Sequence, residues 1–178
     1  MQSQSLPTGY PWEHIALPVV VEIGPFSMKA GKYYVGDLCY VLGNKAHGEL
    51  CKKCFPEGNS TGIEGKSVLS DGRIVISFIC PDGDGAYEDQ NGLSYMVDSG
   101  WLGITLLEGL EGQWDPRGTK KETMVEYIGR PGHIVDHDSE FNVKSVSVDG
   151  VVHMTFGDKV TIDTGLGLSG SSSDDDFY

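Results

Sequence analysis

Positive charge is scarce in this chain. Its 178 residues hold 13 Lys and Arg against 26 Asp and Glu, a formal net charge of -13. From Ile74 through Pro116 there is no Lys or Arg, while Asp82, Asp84, Glu88, Asp89, Asp98, Glu108, Glu111 and Asp115 all fall inside. A phosphate-backbone binder needs a basic footprint to release counterions, and an anionic lipid surface recruits the same charge. Nucleic acid and membranes are therefore excluded as expected partners. Long apolar runs are missing too. Leu17 to Val21 and Trp101 to Leu107 fall far short of the roughly 20 residues that span a bilayer. Met1 to Gly9 lacks a basic n-region, an apolar h-region and a small-residue cleavage site, so no signal peptide is read there. With no export signal, Cys39, Cys51, Cys54 and Cys80 are expected to be reduced thiols of a cytosol-like compartment. No G-x-x-x-x-G-K-[ST] occurs; Gly165 to Gly170 spells G-x-G-x-x-G but runs into a Ser/Asp stretch, and Gly58 to Gly62 spells G-x-S-x-G but leads into a predicted strand, so neither opens the helix that nucleotide-binding and serine-hydrolase folds require. Enzymes become the weaker class.

What the chain has in quantity is turn chemistry and β-forming side chains. Gly numbers 25, hydrophobic residues make up 39% and aromatics 10%, enough for a packed core despite the acidic balance. Gly, Asn, Asp and Pro recur every eight to twelve residues between short Val, Ile, Phe and Tyr runs, the spacing of a sandwich or barrel. Strands are predicted over 18 to 23 and 31 to 42, then near 66 to 70, 73 to 80, 86 to 89, 92 to 97, 101 to 107, 123 to 128, 132 to 136, 140 to 148, 151 to 156 and 159 to 163. Gly24-Pro25 is read as the turn between the first two, and Gly36 as a bulge or bend within the second. Asp71-Gly72, Asn91-Gly92 and Asp149-Gly150 read as type I′ hairpin turns, which need positive φ at both central residues. Between Lys45 and Phe55 the composition turns helical and Pro56 stops it. The expectation is an all-β fold, a partly open barrel or two-sheet sandwich, with one short helix near residues 45 to 55. Residues 1 to 16 read as an extended arm, 17 to 164 as a single β-rich domain with additional hairpins over 120 to 164, and 165 to 178 as a disordered Gly/Ser/Asp tail.

Several constellations merit chemical weighing. Cys39, His47, Cys51 and Cys54 have a C-x7-H-x3-C-x2-C spacing, and a Cys-x2-Cys knuckle is half of a tetrahedral zinc site. The alternatives are a thiol redox pair and, favoured, plain helix-end thiols with Cys39 a small hydrophobe of its strand. Pro81 to Asp89 packs Asp82, Asp84, Glu88 and Asp89 around two glycines, the hard oxygen ligands that calcium prefers. It lacks the last EF-hand ligand and the flanking helices, so carboxylates capping turn amides fit better. Asp98-Ser99-Gly100 and Asp163-Thr164-Gly165 invite an aspartic-dyad reading, but too little chain follows Gly165 to complete a second lobe. Asp136-His137-Asp138, with His133 nearby, has no accompanying nucleophile and reads as a solvated loop.

Two segments, Tyr34-Val35-Gly36-Asp37-Leu38-Cys39-Tyr40-Val41 and the stretch from Gly83 through Asp84, Tyr87, Asp89, Tyr95, Asp98, Gly100 and Trp101 to Ile104, resemble a small module of bacterial, phage and large-DNA-virus proteins. Its pattern runs Y-[IV]-G-D-P-C-Y-[VI], then G-D-G-x-Y-x-D-x-x-G-x-x-Y-x-V-D-[SA]-G. The resemblance covers about residues 31 to 107 and departs at Leu38, where the pattern often has Pro. No activity travels with it. It implies one β unit in which Asp37, Asp84, Tyr87, Asp98 and Gly100 sit close together, and it suggests a microbial or viral source, hence a cytoplasmic or virion setting.

These readings converge on a candidate binding site of Asp37, Asp84, Tyr87, Asp89, Asp98, Gly100 and Trp101. The leading expectation is a non-enzymatic binding or structural protein, such as a viral accessory or virion component, whose acidic face meets a protein partner or small ligand. The alternatives are a ligand-binding or cation-dependent hydrolytic module built on the clustered aspartates, and a zinc-stabilised adaptor.

Overall fold

The computed structural model describes residues 17–57, 62–107 and 132–164. The arm, the tail and the strand predicted over 123 to 128 lie outside them. The order is β1 (Val20–Met28), β2 (Gly31–Gly36), a 3-10 turn (Leu38–Tyr40), α1 (Gly43–Cys54), β3 (Gly65–Val68), β4 (Ile74–Ile79), β5 (Gly85–Glu88), β6 (Ser94–Val97), β7 (Trp101–Leu106), β8 (Gly132–His137), β9 (Phe141–Val148), β10 (Val151–Phe156) and β11 (Val160–Asp163). All pairings are antiparallel. They form a sheet in the order β1-β9-β10-β11, a second in the order β3-β4-β7-β2-β8, and the β5-β6 ribbon. Among the described residues none closes into a barrel, and the fold is all-β, an open sandwich. No helix among the described residues is long and apolar enough to cross a membrane.

The five-stranded sheet is the middle layer. Alternate residues on a strand point to opposite faces, and here both faces are covered. Tyr33, Val35, Ile76, Phe78, Leu102 and Ile104 pack with Val143, Met154, Phe156 and Ile162 of the four-stranded sheet. Tyr34 and Val75, with the opposite parity, pack with Leu38, Val41, Leu42, Leu50 and Cys54 of the 3-10 turn and α1. Double burial is why Ile74–Ile79 reads as one apolar run instead of alternating. Ala46, Leu50 and Cys54, one helical turn apart, supply the stripe that α1 lays on the sheet. Glu49 fixes the helix laterally, its carboxylate accepting from Ser70 N at 2.6 Å and Ser70 Oγ at 2.7 Å. Gly103 allows the close contact: a Cβ there would stand 2.6 Å from Ile76 O and 2.8 Å from Leu38 Cδ1.

Three local expectations are corrected. Gly24-Pro25 does not end the first strand; β1 runs on to Met28 with a register shift between Ile23 and Phe26. The stretch 31 to 42 is not one strand, because Asp37 turns inward, caps the 3-10 turn through Cys39 N, and takes Cys39 out of the sheet. Of the three turns, only Asp149-Gly150 has positive φ at both residues, 51° and 84°. At Gly72 and Gly92 the glycine alone is left-handed and donates back to Leu69 O and Asp89 O. That is a three-residue loop closed by a glycine bulge.

Candidate functional site

The centre of the candidate site is a carboxylate that the sequence places beside the end of β2. Asp37 is fully buried, and each of its oxygens accepts two hydrogen bonds. Oδ1 takes Cys39 N at 3.0 Å and Ser99 Oγ at 2.7 Å; Oδ2 takes Asp98 N at 2.8 Å and Ser99 N at 2.7 Å. A buried ionised group persists only when paired or hydrogen-bonded in this way. The bonds join the β2 exit to the turn before β7. Tyr34 Oη donates to Asp37 O at 3.0 Å, from the opposite side of the same residue.

Asp98 and Asp84 border this clamp. The Tyr40 hydroxyl donates to Asp98 Oδ2, and burial followed by the neighbouring Asp37 charge raises the Asp98 carboxyl above its usual range. Asp84 lies over Gly100, whose φ is +80° and where a Cβ would meet Asp84 Oδ1 at 3.9 Å. Burial, then Asp37, Asp98 and Asp84, push the Cys39 thiol well up. The structure therefore brings Asp37, Asp84, Asp98 and Gly100 together. Two other predicted members serve elsewhere. Tyr87 is buried and donates to Gly83 O at 2.7 Å. Asp89 braces its own hairpin, accepting from Asn91 N at 2.8 Å, Leu93 N at 3.0 Å and Tyr95 Oη at 2.7 Å.

The aspartic-dyad residues keep separate company: Asp98 holds Tyr40, whereas Asp163 lies 3.4 Å from His153 Nδ1 in the other sheet. Among the described residues no group of three or more His, Cys, Asp or Glu is arranged to hold a metal ion. The four zinc candidates diverge accordingly. Cys51 is exposed and sits 3.8 Å from His47 Nδ1, Cys54 turns inward to 3.9 Å from Ser77 Oγ, and Cys39 belongs to the aspartate cluster. The Pro81 to Asp89 loop likewise gathers no such group. His137 is not in a solvated loop either; it is buried, stacks on Phe141 at 3.6 Å, and its Nε2 has no hydrogen-bond partner.

Beside the clamp lies a cavity of about 70 Å³ between α1 and the sheet. Leu50, Phe55, Trp101 and Leu102 form its apolar wall, and Asp37, His47, Cys51, Cys54, Ser77 and Ser99 supply the polar atoms. Phe55 meets Trp101 edge to face at 5.5 Å. Burial lowers the His47 imidazole, partly opposed by Asp37, and raises both Cys51 and Cys54. Sequence reasoning found Trp101 but missed Leu50, Phe55 and Ser77. The helix stripe of Ala46, Leu50 and Cys54 was the available signal, since it puts Phe55 at the end of the buried face.

No protein-family model matches the chain, and no curated protein or solved structure matches it.

Proposed function

We propose that this protein is a non-enzymatic binding module whose cavity between α1 and β7 anchors one apolar side chain of a basic protein partner. The observation that carries this reading is the size and lining of the cavity. At about 70 Å³ it is roughly half of an apolar cavity of ~150 Å³ that admits benzene. It is also well below the ~300 Å³ at which pockets for cofactors and drug-sized ligands begin. A branched aliphatic or thioether side chain fits that space. Trp101 and Phe55 offer the aromatic surface that binding hot spots favour. Asp82, Asp84 and Asp98 stand in the cation-free segment leading into β7, which favours Lys or Arg beside the anchor residue. The hydrolytic alternative has less support, because the most buried aspartate already accepts four hydrogen bonds from the chain itself.

Selection of a displayed random-peptide library on the full chain tests this. Enriched peptides should pair Leu, Ile or Met with nearby Lys or Arg, and Trp101→Ala should lose them at least tenfold. Enrichment of peptides that bind Trp101→Ala equally well would sink the assignment.

A further inference from the structure

Cys51 and Cys54 stand on one cavity wall, three positions apart at the end of α1. One is exposed and the other buried. Residues three apart on a helix have Cα atoms about 5 Å apart, inside the window of roughly 4.4 to 6.8 Å that a disulfide spans. Their Cβ atoms, about 5 to 6 Å apart on a regular helix, must approach to about 3.8 Å, so the last turn has to tighten. This turn can do so. Cys54 is the final helical residue, and Phe55 leaves the helix at φ -126°, ψ 74°. Among the described residues, the cap and loop bonds at this turn are Phe55 N to Cys51 O at 2.9 Å and Ile63 N to Cys54 O at 2.8 Å.

We propose that Cys51 and Cys54 form a thiol–disulfide pair that reacts with small disulfides of the glutathione class and, once oxidised, closes the anchor cavity. Exposed Cys51 is the entry point, with His47 Nδ1 and Nε2 at 3.8 and 3.9 Å from its sulfur. The half-buried imidazole stands within reach of the sulfur and takes the Cys51 proton as attack begins. The thiolate attacks one sulfur of the small disulfide and expels one thiolate, which leaves with that proton as a free thiol. The Cys54 thiol then loses its proton and attacks the Cys51 sulfur. The Cys51–Cys54 bond forms, and the second small thiol departs carrying the Cys54 proton. Two cysteine thiols are oxidised and one small disulfide is reduced to two thiols.

Neither cysteine is held as a thiolate: burial and Asp37 raise Cys51, and burial raises Cys54 against the opposing bond with Ser77. The reduced pair therefore gains nothing from a stabilised thiolate, which is the source of strong oxidising power in other dithiols. The result is a slow pair whose disulfide persists. Bridging draws the Cys54 sulfur from Ser77 and shifts Phe55 against Trp101, which alters the wall of the binding cavity. That consequence rests on the function proposed above; the thiol chemistry does not.

The test incubates the full reduced chain with oxidised glutathione and reads intact mass. Wild type should lose two hydrogens and keep no adduct. Lys52 and Lys53 stand between the cysteines, so trypsin should release two peptides joined only through sulfur. Cys54→Ser should retain one glutathionyl group on Cys51, and Cys51→Ser should do neither. A stable adduct on wild-type Cys51, a bridge from Cys51 to Cys39, or no reaction overturns the proposal. Selected peptides should bind the oxidised chain at least tenfold more weakly, and dithiothreitol should restore binding. If the bridge forms while no peptide binds either form, the cavity's function fails and the thiol pair stands; unchanged binding of a peptide to the oxidised chain overturns the gating.

Discussion

Replacing Asp37 with Asn separates a structural brace from a residue held in place for chemistry. An asparagine keeps one carboxamide oxygen. Turned to accept from Asp98 N and Ser99 N, it points its NH2 at Cys39 N, donor against donor, while the Ser99 hydroxyl can rotate to accept. One hydrogen bond to a charged group is lost and a buried amide is left alone, about 1.5 to 3 kcal/mol. The two bonds that remain lose their charge assistance, which adds roughly 1 kcal/mol. The expected destabilisation is about 3 kcal/mol, or ~6 to 12 °C in Tm for a chain of this size. Asp37→Ala removes all four partners and should cost more. Urea unfolding followed by far-UV circular dichroism measures this as a lower midpoint at unchanged slope. A variant within about 0.5 kcal/mol of wild type would falsify the brace. A more stable one would mean that Asp37 is retained at a cost in stability, as residues held for activity often are.

Three further outcomes follow from the packing. His137 is buried with an unpartnered Nε2, and burial, then Lys159, lower its pKa. The unfolded chain thus binds the proton more readily, and stability should fall as pH drops below about 6.5. In His137→Phe that loss should shrink in a urea series from pH 8 to 5. At Gly103 an added Cβ has backbone on one side and Leu38 on the other, so Gly103→Ala should cost roughly 1 to 3 kcal/mol by thermal unfolding. Burial, followed by its bond to Asp89, holds the Tyr95 hydroxyl far above the ordinary tyrosine range. Tyr95→Phe should cost about 1.5 to 3 kcal/mol in urea by orphaning one Asp89 oxygen. It should also ease the loss of wild-type stability as pH rises above about 10.

The strand pattern was legible because turn chemistry and β-branched runs are local. Strands β3 to β7 and β8 to β11 fall within a few positions of their expected bounds, and α1 starts two residues before its expected start. What escaped was whatever long-range packing decides. Nothing in Tyr34-Val35-Gly36-Asp37 signals that Asp37 ends the strand, since its bonds come from Asp98 and Ser99 on another turn. His137 was misread for the same reason: its flanking aspartates suggest solvent, while the Phe141 stack and the Gly157 turn that bury it lie further along. The aspartate group was half legible. Asp98 does meet Asp37 and Asp84 lies over the neighbouring Gly100, but residue type could not tell Asp89, spent on its own hairpin, from the rest.

The pairing of β1 with β9 also bears on synthesis. Val19 and Asp149 hold each other from 130 positions apart, so the first strand of the sandwich waits for nearly the last. Until then Val19, Val20 and Val21, each half or more exposed after folding, have no sheet to join. A nascent chain therefore carries an unpaired, β-prone segment until β9 has been made, and non-local closure of this kind is slow. Expression yield should depend more on the pairing of β1 with β9 than on the cavity beside α1.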